Sequence, residues 1–180
     1  LGGHQGPLPE GMQTLPELLQ AKRYVTAAFT EGHVPGGEDM CYGSGFERGF
    51  EVFDDEFRLE TPAKAAGGLP STAQVPAGSS VTLNKAAEWI EAHSTEKLSV
   101  FIRLRELAYP MRLPRYGEGF LGRGRTPTPK DIYDTALASV DRDIGEFLHR
   151  IQAHPGLDNT CIVVASAYGF DFSEPGRAEW

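Results

Sequence analysis

The sequence predicts an α/β fold, a mostly parallel sheet flanked by helices, and three observations predict it. Apolar runs at Tyr24–Phe29, Leu98–Leu104 and Cys161–Ala165 read as strands. Helical periodicities lie between them, over about Thr82–His93 and from Thr128 onward. Strands separated by helices are joined by right-handed crossovers, which make the sheet parallel. The 180 residues suffice for one domain with a real core, and the reading is a single domain over 1–180 without internal repeats.

Each element has a local reason. Thr14-Leu15-Pro16-Glu17 is a capping box, Thr at the N-cap and Glu three residues on. Leu15, Leu18 and Leu19 then give the first helix one apolar face. The first strand follows, and residues 31–45 are Gly-rich and loop-like. Phe46, Phe50, Phe53 and Phe57 mark an aromatic stretch. From about 58 to 80 the chain is rich in Ala, Gly, Pro and Ser, which predicts a flexible surface loop. Leu83, Ala86, Ala87 and Ile90 define the second helix. Residues 109–127 form a loop rich in Pro, Gly and Arg. The longest helix starts at Thr128 with Pro129 in its first turn, where a missing N–H costs nothing. Ile132, Ala136, Val140, Ile144, Phe147 and Ile151 are its expected buried face, and Pro155-Gly156 stops it.

The net charge of −8 and pI of about 5.1 argue against nucleic acid, which is bound largely through Lys and Arg. No apolar run reaches the roughly 18–20 residues that cross a bilayer. The chain opens Leu1-Gly2-Gly3 with no visible signal, so its compartment is not read from its start.

Candidate chemistry is sparse. Two cysteines make neither a disulfide framework nor a zinc site. Cys161, in an apolar strand pattern, is expected to be a buried thiol, and Cys41 a loop thiol. His4, His33, His93, His149 and His154 are scattered, without the i, i+4 spacing of a helical zinc site, and read as surface residues. Asp54-Asp55-Glu56 reads as a solvated acidic face. Gly117 to Gly122 spells G-x-G-x-x-G but follows no strand, so a dinucleotide fingerprint is rejected. Arg103, Arg105, Arg112, Arg115, Arg123 and Arg125 make a local basic segment in an acidic chain. It reads as a charge-balancing surface loop or as a contact for an acidic partner or lipid headgroups, because Arg pairs bidentately with carboxylate and phosphate.

Four stretches in order resemble the sulfatase family of the alkaline phosphatase superfamily. They are Pro7-Leu8-Pro9-Glu10 followed by Thr14–Leu19 and Tyr24–Phe29; Gly45-Phe46-Glu47-Arg48-Gly49-Phe50 continuing to Phe53-Asp54; Leu83–Ile90 leading into Leu98–Pro114; and the long helix followed by Gly156-Leu157-Asp158-Asn159-Thr160 up to Gly169. The second is similar to the family's GF-x-x-GF-x-x-F, the fourth to G-L-x-D-N-T-x-V-V-x-T-S-D-H-G. The resemblance implies a sulfatase-like partial domain, a divalent metal held by an Asp pair and an Asp-His pair, and a formylglycine nucleophile from C/S-x-P-x-R. It also suggests a periplasmic or extracytoplasmic location.

Several family positions depart from the pattern. Ser166-Ala167-Tyr168-Gly169 stands where the family has Ser-Asp-His-Gly, and neither a methyl nor a neutral phenol suits a hard cation. Against H-x-x-D-P-H-x-P, Arg103 and Ala108 fill the His positions and only Glu106 keeps an acid. Neither cysteine has Pro at +2 and Arg at +4. The resemblance therefore implies a degenerate site with no catalytic residue, no metal and no cofactor. Three readings stay open: a non-catalytic structural or interaction subunit of a larger assembly, a membrane-bound one included; a fragment of a sulfuric-ester or phosphoester hydrolase whose nucleophile and first metal ligands lie upstream of residue 1; and a competent domain using another site, such as Tyr168 with Glu106. The first implies a larger protein partner, because the family strand absent from this chain lies beside the Cys161 run.

Overall fold

The computed structural model describes residues 7–31, 43–55, 79–108 and 128–166. Their elements run α1 (Leu15–Gln20), β1 (Val25–Thr30), β2 (Val52–Asp54), α2 (Ser79–Ala92), β3 (Leu98–Arg103), the 3₁₀ turn η1 (Glu106–Ala108), α3 (Pro129–Gln152) and the 3₁₀ turn η2 (Pro155–Leu157). The three strands form one parallel sheet in the order β2-β1-β3. Val25 pairs with Leu98 and Thr30 with Arg103, while Ala27 pairs with Val52. The parallel α/β expectation stands, with β2 as a strand that periodicity did not single out.

β1 is central and buried from Thr26 to Thr30. Its small residues Ala27 and Ala28 let neighbouring elements approach closely. On one face Ala27 and Phe29 pack against Ala86 of α2, with Trp89, Val100 and Phe147 around them. Phe29 meets Trp89 edge-on, ring centroids 6.2 Å apart. A second cluster, Ala87, Ile90 and Ile151, packs with Leu98 and Leu157 and joins α2 to α3. Ala136, Val140 and Ile151 are buried as the periodicity of α3 requires, and Thr128 caps that helix in a second capping box with Asp131. Arg150 donates twice to Glu91, tying α3 to α2.

The amino ends of the strands are held by close backbone packing. Gly49 has φ +82, and a Cβ there would lie 2.3 Å from the Glu17 nitrogen. Only glycine combines that conformation with that approach. The Arg48 guanidinium donates to the carbonyls of Pro9, Glu10, Met12 and Gly45.

Three expectations are corrected. α1 forms behind its Thr14 capping box, yet buries no residue, and Leu15 and Leu18 are exposed. The helix is anchored at its amino end by the Gly45–Gly49 segment rather than by an apolar face. Cys161–Ala165 is not a strand: it is exposed, with Val163 83% and Val164 71% accessible, and Cys161 is an exposed free thiol. A strand exists only where neighbours take its backbone groups, and among the described strands none pairs with this run. His93 is also half-buried rather than a surface residue, stacked on Trp89 at 4.2 Å.

Candidate functional site

β1 and β3 end side by side, and ligands in open α/β sheets bind beyond the carboxyl ends of the strands. Glu31 is the first residue past β1. Its N–H extends the ladder to the Arg103 carbonyl, which turns the side chain inward, and it is only 6% exposed. One carboxyl oxygen, Oε2, accepts from the Arg105 backbone N–H at 2.5 Å. Among the described residues the other, Oε1, is buried without a hydrogen-bond partner, as is Thr30 Oγ1. Burial pushes the Glu31 carboxyl up to about 7; the nearby Glu106 adds to the rise, against the Arg105 N–H and the charges of Arg105 and Arg103.

Glu106 in η1 is committed to a helix start. Its Oε2 accepts from the Ser79 N–H at 3.2 Å and lies 2.6 Å from Ser79 Oγ. Ser79, fully buried, opens α2, so a carboxylate sits where the helix has free N–H groups. The same Ser79 Oγ lies 2.7 Å from Oδ2 of buried Asp143 on α3. Beyond Asp143 a shallow cavity of about 220 Å³ runs between α2 and α3, lined by Leu83, Asn84, Phe147 and Arg150. The site thus joins five elements around three carboxyl groups.

The structure brings Arg103, Arg105, Glu106 and Ala108 of the expected set to this edge. Ala167, Tyr168, Arg112, Arg115, Arg123, Arg125 and Cys41 lie outside the described residues, as do the 58–78 part of the expected loop and G-x-G-x-x-G. Sequence reasoning missed Glu31, Ser79 and Asp143. Two of them left a signal: Glu31 is an acid directly behind an apolar strand, and Asp143 interrupts the apolar stripe of α3 after Val140. Ser79 left none inside its Ser- and Gly-rich surroundings.

The resemblance places the metal's Asp-His ligands at Ala167 and Tyr168, whose methyl and phenol do not suit a hard cation and which lie outside the described residues. Among the described residues no group of three or more His, Cys, Asp or Glu could hold an ion. At the family's substrate-side positions the described residues offer Arg103, Ala108 and one acid, Glu106, already bonded to Ser79.

A parallel sheet with helices packed on it, with Glu31, Arg103, Arg105 and Glu106 at the carboxyl ends of β1 and β3, defines an α/β domain. The chain belongs to the sulfatase family: the family model described as Sulfatase matches residues 2–174. Its fold is similar to the crystal structure of the lipoteichoic acid synthase LtaP from Listeria monocytogenes, with TM-score 0.59, 19% identity and 82% of this chain covered. The chain spans 35% of that protein's length, and at this identity the likeness is one of fold. No curated protein matches it significantly.

Proposed function

We propose that this sulfatase-family domain is non-catalytic and serves as a structural or interaction subunit of a larger assembly. The observation that carries the reading is the use made of Glu106. It is the one acid kept in the family's substrate-side motif, and it is spent on fixing Ser79 at the start of α2. Arg103 and Ala108 beside it supply neither a metal ligand nor a general base. Exposed apolar surface supports the interaction part. Met12, Leu15 and Leu18 project around α1, and Ile162, Val163 and Val164 form an exposed, uncharged run. Such surface marks interaction sites, and unpaired backbone accepts another strand. The partner is a larger protein that pairs with the Cys161–Ala165 run, with the Arg103–Arg125 segment at or near the contact.

A second reading rests on length. Because the chain spans 35% of LtaP, it is also consistent with part of a longer sulfatase-type ester hydrolase. One experiment tests the non-catalytic reading. The chain is assayed on aryl sulfates and on phosphate mono- and diesters with added calcium, magnesium or zinc, and its metal content is measured after dialysis. The expected result is no turnover above buffer and no stoichiometric metal. One ion per chain with turnover overturns the non-catalytic reading. Light scattering with hydrophobic-dye binding tests the partner. A monodisperse monomer that binds no dye, and an assembly unaffected by Arg112→Glu with Arg115→Glu, removes it.

A further inference from the structure

The carboxyl edge of the sheet holds hydrogen bonds that its own hydrogens cannot all supply. Ser79 Oγ lies 2.6 Å from Glu106 Oε2 and 2.7 Å from Asp143 Oδ2, both hydrogen-bond distances. The hydroxyl has one hydrogen and can donate to one of them. The two acids therefore compete for the one Ser79 hydrogen. A third acid, Glu31, is buried next to the pair with Oε1 unpartnered, and an unpaired buried carboxyl is far less unfavourable neutral than charged. A metal ion would need several converging donors, and the described residues contain no such group. A proton is the cation that fits.

We propose that Glu31, Glu106, Ser79 and Asp143 form a proton-operated clasp, which ties η1 and the end of β1 to α2 and α3 while protonated and loosens when the proton is lost. The mechanics follow from where each group sits. Glu31 reaches across from β1 to the Arg105 backbone, one residue before Glu106. Glu106 and Asp143 approach Ser79 from η1 and from α3. Among the described residues, the charged groups facing Glu31 are Arg103 and Arg105 at the end of β3 and Glu106 in η1. Those facing Ser79 are Glu106 and Asp143. Ionising Glu31 places a second negative charge beside Glu106 without a new partner for Oε1, so repulsion acts on the short segment that carries η1. With Glu31 neutral the four-element junction closes; with Glu31 ionised it opens.

The sign follows from Glu31. Its carboxyl sits at about 7 in the folded chain against 4.5 for the free group. The stabilisation is complete below the free value and is lost as pH rises through about 7. The test uses the full chain and Glu31→Gln, whose amide keeps the shape and cannot ionise. Denaturant unfolding of both is followed between about pH 5 and about pH 8. Over that span the folded-to-unfolded ratio of the parent is expected to fall roughly a hundredfold relative to the variant. Exchange of the Arg105 and Ser79 amides, corrected for its intrinsic pH dependence, should quicken with pH in the parent only. Parallel stability profiles for the two chains overturn the proposal. Should Glu31→Gln fail to fold, infrared difference spectra of the parent decide it: a protonated-carboxyl band that disappears near neutral pH supports the clasp, and no such band overturns it.

Discussion

The two ends of the β-sheet are built on opposite principles, and two glutamates show it. At the amino end, Glu17 sits in the first turn of α1 and accepts the Thr14 N–H at 2.6 Å, which together with the Thr14 hydroxyl and Arg48 holds its carboxyl below the usual range. At the carboxyl end, Glu31 is buried, half partnered and held above that range. Around Glu17 the polar groups answer one another: Thr14 Oγ1 donates to the Arg48 carbonyl, Thr26 Oγ1 to the Gly49 carbonyl, and Arg48 to four carbonyls. Around Glu31, among the described residues, Oε1 has no partner and two acids share the one Ser79 hydroxyl. Structural ends of folds are satisfied in this way, whereas strained polar groups concentrate where folds of this class do their work.

Four substitutions test that contrast, in falling order of expected effect. Gly49→Ala forces a side chain onto the α1 backbone at positive φ and is expected to destabilise by about 4 kcal/mol. A urea midpoint within error of the parent would show that the amino end yields more easily than its packing implies. Glu31→Gln acts at the other end and in the other direction. The folded carboxyl lies above its free value, so the ionised form is the unfavourable one. The variant should gain about 2–3 kcal/mol above pH ~8 and nothing below pH ~4. Stabilisation that is constant with pH would remove Glu31 as the cause. Arg48→Lys keeps the charge but loses the planar fork that reaches four carbonyls, and should cost about 1–2 kcal/mol. Thermal unfolding with an unchanged midpoint would reduce that network to surface decoration. The smallest effect belongs to Arg23, which takes the left-handed conformation (φ 64) between α1 and β1. Arg23→Gly should gain roughly 0.5 kcal/mol, and a loss in calorimetry would show that its side chain contributes more than its backbone suffers.

The parallel architecture was legible because β1, α2, β3 and α3 each carry a local signal that tertiary packing reinforces. Val140 and Ile151 recur at helical spacing and are buried, and Thr128 announces the start of α3. The Cys161–Ala165 run carries an equally clear strand signal, yet it is exposed. Periodicity reports what a segment could pair with, and pairing needs a neighbour that no local pattern specifies. The candidate site was half legible for a related reason. Glu106 stood out through the family motif, and Arg103 and Arg105 through charge. Ser79 and Asp143 matter only because α2 and α3 bring them within 2.7 Å across a long stretch of chain, and that distance is a property of the fold.

The central place of β1 also bears on how the chain acquires its shape. Both of its sheet partners follow it in the sequence, and the ladder from Val25 to Leu98 closes only after α2 has been made. A nascent β1 therefore waits on the ribosome for its neighbours, and such non-local parallel pairing is intrinsically slow. Its middle is Ala27-Ala28, which presents little sticky surface during the wait and disappears completely once β3 arrives. Larger residues there would lengthen the exposure of an adhesive strand at the stage when the chain is most vulnerable to aggregation.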